Sequence, residues 1–306
     1  MTNNSKVIFE TSKGQTQFYS KVCFTFLVFM FLGGFVAKAQ ITWTGGAAGN
    51  WNVASNWDSG TIPGATDQVI IANATVNLGG SNITVGSINF NGVTLNNGSF
   101  NTNSTSLISY IRNKSTINVP IHLTSNTIVL FDNTFNAQVT LNKAGSANVW
   151  VGTNSGKNIF NENVYINGLS GASGAMYLGL GGGDTFVKDL FIDNQSSASF
   201  YLASTSGATQ FGGNISLSGN NGAIAFGVIG GSAQLAAGKT ISEGTTGLTG
   251  TTVYLSGMNI PTNLTLDAPQ SAIYLGSRFN FNGYYYENGS QFQGTVNVTA
   301  NTIIAY

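Results

Sequence analysis

Polysaccharide cleavage needs two carboxylates about 5–9 Å apart, so the acidic residues are the first place to look for chemistry. The densest group is Asp184, Asp189 and Asp193, with Lys188 among them. Asp189 and Asp193 share strand parity, and an unbroken strand would show both on one surface about 13 Å apart, too far for either hydrolase geometry. Asp184 lies across a turn from them. Its stretch, Gly179-Leu180-Gly181-Gly182-Gly183-Asp184-Thr185-Phe186, nearly fits a calcium-binding nonapeptide in which Asp and backbone carbonyls are the ligands. Such sites are built from tandem copies, and one imperfect copy stands here. Asp184 is therefore a weak calcium candidate, and a structural turn is the expectation.

Other catalytic constellations are missing. His122, in Val119-Pro120-Ile121-His122-Leu123, is the one histidine and sits at an outward strand position. There is no His-x-x-x-His pair for zinc and no Gly-x-Ser-x-Gly elbow. Arg112 and Arg278, the only arginines, have no carboxylates nearby in sequence to form a lyase site. No catalytic residue and no cofactor is assigned, and the expectation is a protein that is not an enzyme.

Sugar binding without catalysis has better material. Phe279-Asn280-Phe281-Asn282-Gly283-Tyr284-Tyr285-Tyr286-Glu287-Asn288 concentrates aromatics and amides. In a strand Tyr284 and Tyr286 share one face and could stack on pyranose rings, with Asn282 and Asn288 supplying hydrogen bonds. Burial of the same rings under the last coils is the competing reading.

The elements that would position these residues follow from composition and period. Of 306 residues only 7% are charged, 40 are Gly, and 42% are apolar, which excludes collagen, coiled coils and a disordered tail. The formal net charge is zero, so no electrostatic footprint for nucleic acid exists. Lys6, Lys13 and Lys21 precede the apolar run Val22–Val36 and then Ala37-Lys38-Ala39, the three parts of a secretory signal. The run is short for a membrane span, so residues 1–39 read as a signal peptide, the remainder as secreted and not held in a membrane. Removal takes away Cys23, four of the 11 basic residues and Glu10 of the 11 acidic ones, leaving seven against ten, a net charge of −3. With no cysteine left, packing and backbone hydrogen bonds must hold the fold.

From Val69 onward short alternating stretches such as Ile83-Thr84-Val85 and Ile88-Asn89-Phe90 are broken by Gly, Asn, Ser and Thr, which predicts strands. They recur. Phe135, Phe160, Phe186 and Phe211 open similar phrases at spacings of 25, 26 and 25 residues, and Phe292 opens another. A second strand returns between them, as Val149-Trp150-Val151-Gly152, Met176-Tyr177-Leu178-Gly179 and Ile224-Ala225-Phe226-Gly227. The pattern predicts an all-β, right-handed parallel β-helix of about 25-residue coils over residues 69–306, with a β-sandwich as the alternative. Like residues should stack coil on coil, and Asn at equivalent corners should form ladders. Residues 40–68 hold three of the four tryptophans and read as a cap over the first coil. The last residues remain strand-like with no such cap, which fits an array cut short.

Trp43-Thr44-Gly45-Gly46, Asn50-Trp51, Asn56-Trp57, Pro63 and Asp67-Gln68-Val69-Ile70-Ile71 resemble the start of secreted β-helical surface proteins of Bacteroidetes. They are also similar to autotransporter passenger domains and filamentous-haemagglutinin-like adhesins. Phe211-Gly212-Gly213-Asn214-Ile215-Ser216-Leu217 is a phrase of the same kind. The resemblance implies an exported, adhesin-like structural protein whose partners are extracellular glycans or cell surfaces, with no catalytic motif to carry over. The alternative is a lyase or glycoside hydrolase on the same scaffold. No oligomeric state is read from the sequence.

Overall fold

The computed structural model describes residues 39–147, 156–179, 182–203, 208–227, 231–276, 278–281, 284–287 and 290–305. Residues 1–38 of the expected signal peptide and the repeat phrase Val149–Gly152 lie outside them.

The chain winds through three faces per coil. Gln68–Ala72 runs along face one, Thr75–Asn77 along face two and Asn82–Val85 along face three, and Ser87–Asn91 then returns to face one. Successive coils pair in parallel, with Val69 beside Ile88, Val76 beside Leu95 and Ile83 beside Phe100. Face two is an 11-stranded sheet from Ala48–Asn50 to Gln291–Phe292, and face three is 8-stranded, from Asn82–Val85 to Ile241–Leu248. Face one comprises a 5-stranded sheet ending at Thr127–Phe131 and a 6-stranded sheet beginning at Ala175–Leu178. This is a parallel β-helix, its eleven rungs on face two stacked at about 4.8 Å.

The coil length is not uniform. Val139, Val164, Leu190 and Ile215 pair in succession at offsets of 25, 26 and 25 residues. Earlier, Thr75, Thr94, Thr116 and Thr134 pair in succession at 19, 22 and 18. All three strands persist in the shorter coils, so the corners absorb the difference.

Period-two alternation turns one set of side chains inward on each strand. Phe135, Phe160, Phe186 and Phe211 form one buried column, each stacked on the next with centroids 4.9, 4.8 and 5.1 Å apart and planes within 15°. Parallel stacking follows from the rung spacing, which leaves a ring no room to turn edge-on. The column continues through Leu95 and Ile117 on one side and Leu235 on the other.

One corner explains much of the Gly and Asn content. From Gln68–Ala72 onward, the face-one strands are followed at once by a residue in the left-handed region. These are Asn73, Gly92, Asn113, Asp132, Gly179, Ala203, Gly227 and Gly276, with φ between 51° and 69°. After Thr252–Leu255 that residue comes one position later, at Gly257. Gly, Asn and Asp tolerate this conformation and most other residues do not. A second corner carries an amide ladder: Asn118, Asn136 and Asn161 each donate from Nδ2 to Oδ1 of Asn96, Asn118 and Asn136, at 2.7, 2.6 and 2.6 Å.

The tryptophan-rich stretch is itself wound as a coil. Gln40–Thr42 and Ala48–Asn50 pair in parallel with Gln68–Ala72 and Thr75–Asn77. Asn56–Asp58 then folds back against the outer edge of the first strand: Thr44 N–H donates to Asn56 O, Asp58 N–H to Thr42 O, and Thr42 N–H to Asp58 Oδ1. Trp51 and Trp57 are buried in edge-to-face contact at 4.7 Å, Trp43 packs on Trp57 at 5.0 Å, and Trp51 reaches Phe100 at 5.3 Å.

Candidate functional site

The acidic residues singled out in the sequence go to three different places. Asp184 is fully buried in a corner column with Ser115, Asn133 and Asn158, each just ahead of its face-two strand, and with Thr209, the second residue of the strand Ala208–Phe211. Its Oδ1 accepts from Asn158 N–H at 2.9 Å and Asn158 Nδ2 at 3.1 Å, while its own N–H donates to Thr209 Oγ1 at 3.2 Å. Oδ2 has no hydrogen-bond partner among the described residues. Burial pushes the carboxyl up to about 6, against the opposing pull of the Asn158 donors, the Gly179 amide and the Lys157 charge. Its proposed calcium neighbours Leu180 and Gly181 lie outside the described residues, and among those described no three His, Cys, Asp or Glu gather to hold a metal.

Asp189 occupies a different corner, where its Oδ1 accepts from Asn214 N–H at 2.7 Å and its N–H donates to Asn163 Oδ1 at 3.2 Å. Asp193 faces outward on face three. Lys188 is exposed. His122 lies on the same outer face three, its Nε2 2.6 Å from Asn142 Nδ2, and partial burial lowers its pKa.

The aromatic segment forms an antiparallel hairpin inserted into the parallel array. Arg278–Phe281 pairs with Tyr284–Glu287, placing Phe279 opposite Tyr286 and Phe281 opposite Tyr284. Tyr284 and Tyr286 both fall on the second strand of this hairpin; Asn282 and Asn288 lie outside the described residues.

Two outward aromatic columns went unremarked in the sequence. On face one, Tyr177, Tyr201, Ala225, Tyr254 and Tyr274 share one register position. Tyr177 stacks on Tyr201 at 5.0 Å and Tyr254 on Tyr274 at 4.5 Å, and Ala225 between the pairs is fully buried. Burial raises the Tyr177 and Tyr254 phenols to about 12, with the neighbouring tyrosines adding to the shift. The signal was the Tyr at the outward position of the recurring phrase beside each buried Leu.

On face three, Tyr165 stacks on Phe191 with centroids 4.7 Å apart and planes 8° from parallel, and Ser216 takes the next place in that column. Two residues along, Asn167, Asp193 and Ser218 form a parallel polar column. The following strand breaks register: Leu217 pairs with Glu243 and Gly219 with Leu248, so Gly244–Gly247 stand opposite Ser218 alone. A groove of about 220 Å³ lies between Phe191 and this bulge, lined also by Asp193, Ser216, Ser218 and Thr246. At the foot of the bulge Glu243 Oε1 is buried without a partner among the described residues, and its carboxyl is raised by desolvation first and by Asp267 second.

No protein family, curated protein or solved structure matches the chain.

Proposed function

We propose that the chain is an exported, non-catalytic surface or matrix protein that holds glycans or other cell surfaces along its flanks. The observation that supports this is the outward tyrosine column of face one, two stacked pairs, Tyr177–Tyr201 and Tyr254–Tyr274, on either side of Ala225 on a low-charge surface. Stacked phenols present hydroxyls and ring edges at a fixed spacing, a pattern suited to a polymer that offers the same group again and again. A rigid scaffold makes such contacts without ordering its own side chains on binding. The resemblance of Trp43–Ile71 to secreted β-helical surface proteins points the same way. Co-sedimentation with insoluble cellulose, chitin and peptidoglycan tests it. Binding to at least one that falls in a Tyr201→Ala/Tyr254→Ala double variant supports the reading, and no binding to any overturns it.

Polysaccharide cleavage is the second reading, and Glu243 is the observation that favours it. A carboxyl raised by desolvation beside a second carboxylate, Asp267, is the way an acid and a base are set apart in one site. Release of reducing ends from the same polysaccharides, abolished by Glu243→Gln, would establish it.

A further inference from the structure

Rings stacked along the axis of a parallel β-helix show their edges to solvent, and only the last ring of a stack has a face to offer. Tyr165 and Phe191 form such a stack on face three, and it ends at Phe191 because Ser216 follows in the column. The drop from Phe to Ser opens a notch one rung deep. Its far wall is the bulge, seated on the floor through Gly244, where a Cβ would come within 2.2 Å of Ser218 Oγ and 2.8 Å of Ser216 Oγ. Thr246 Oγ1 ties the wall to the floor at Asp193 Oδ1, 3.4 Å away, and Gln195 Nε2 donates to the same oxygen at 2.6 Å. Asp193 Oδ2 makes no hydrogen bond among the described residues.

We infer that this notch is a binding site for a single neutral pyranose ring, inserted between the face of Phe191 and the Gly244–Gly247 bulge. The chemistry matches on each side. A ring face takes the apolar C–H surface of a sugar, and Asp193, Asn167, Ser216 and Ser218 surround it with acceptors and donors for hydroxyls. At about 220 Å³ the notch falls below the roughly 300–1,000 Å³ of clefts that take drug-sized ligands, which fits one ring and not an oligomer. The lining contains a carboxylate and no Lys or Arg, so uronic acids and sulfated sugars are disfavoured. The inference rests on the glycan-binding reading but concerns a different face from the tyrosine column.

The test is titration of the purified chain with methyl glycosides of neutral hexoses and with a methyl glucuronoside, followed by saturation-transfer NMR. At least one neutral glycoside binds, and the glucuronoside does not. Phe191→Ala weakens the neutral glycoside by about tenfold. Asp193→Asn, nearly isosteric, weakens it several-fold and admits the glucuronoside, a change of selectivity that loss of fold would not produce. Ile62→Ser, an exposed residue outside the lining of the notch, leaves the affinity unchanged. Failure of every neutral glycoside, wild-type affinity in Phe191→Ala, or unaltered selectivity in Asp193→Asn would each overturn the inference. Retained sedimentation with polysaccharide alongside any of these would place the failure here and not in the broader reading.

Discussion

Asn158 holds Asp184 by two hydrogen bonds to the same carboxylate oxygen, from its backbone N–H at 2.9 Å and its Nδ2 at 3.1 Å, inside a corner with no exposure to water. One coil earlier, Asn133 Nδ2 donates to Asn158 Oδ1 at 3.0 Å in the same manner. Asp184 thus continues an amide ladder with a group that carries charge at neutral pH.

Asp184→Asn is therefore expected to stabilise the protein at pH 7, by about 1–3 kcal/mol. The folded-state pKa, about 6, lies above the ordinary 3.8, so the native state binds more protons than the unfolded state between them. Its contribution to stability is full below 3.8 and is lost as pH rises through about 6. Urea midpoints at pH 4 and pH 7 should show that fall in the wild type and its loss in the variant; an unchanged slope would refute the assignment.

Lys143 shows the opposite sign. Its ammonium is enclosed and donates to the carbonyls of Asn126 and Gly145, and desolvation lowers its pKa from 10.5 to about 8. Below pH 8 the buried charge costs stability, and that cost is relieved between pH 8 and 10.5, so stability from this group rises with pH there. Lys143→Met is expected to abolish this rise. It also leaves the Asn126 carbonyl without its donor, while Gly145 O keeps the Ser173 N–H, lowering stability at neutral pH by about 1–3 kcal/mol. Thermal melts from pH 7 to 10 check both effects.

The phenylalanine column makes a graded prediction. Phe160→Ala removes a fully buried ring stacked on both sides and should cost about 3–5 kcal/mol. Phe160→Leu should cost under about 1.5 kcal/mol, because Leu95 and Leu235 already occupy this column in other coils. Denaturant titration separates the two, and equal losses would mean that shape, not volume, governs the column.

Gly227 tests the repeated left-handed corner. Ala203 occupies the same corner with φ 54°, so a Cβ is not forbidden there by conformation alone. At Gly227, however, a Cβ would stand 1.9 Å from Ser256 O, a backbone atom that cannot swing aside. Gly227→Ala should lose at least about 2 kcal/mol, and proteolysis should begin near this coil in the variant. A variant as stable as the wild type would show that the corner can relax.

Most of the scaffold was legible in the sequence because β-helices write their geometry as recurrence. The returning Phe marked the core column, and the abundance of Asn anticipated ladders such as that from Asn96 to Asn161. The shorter early coils were harder to see, since the Thr75, Thr94, Thr116 and Thr134 positions carry no residue as distinctive as Phe. Site residues were less legible still. Asp184, Asp189 and Asp193 are neighbours in sequence, yet their destinations depend on two corners that no local pattern separates. The groove depends on a register slip at Gly244–Gly247, which is apparent only once Ser216 and Ser218 are known to lie beneath it.

The three-face winding also fixes how the molecule answers to tension. Its interstrand hydrogen bonds point along the axis, so a pull on the two ends loads them one rung at a time, as a zipper, and not together in shear. A middle coil of 25 residues would then pay out about 80 Å of chain as it peels away. Under such a load the protein would lengthen coil by coil, in steps of that size, while the coils not yet reached stay wound.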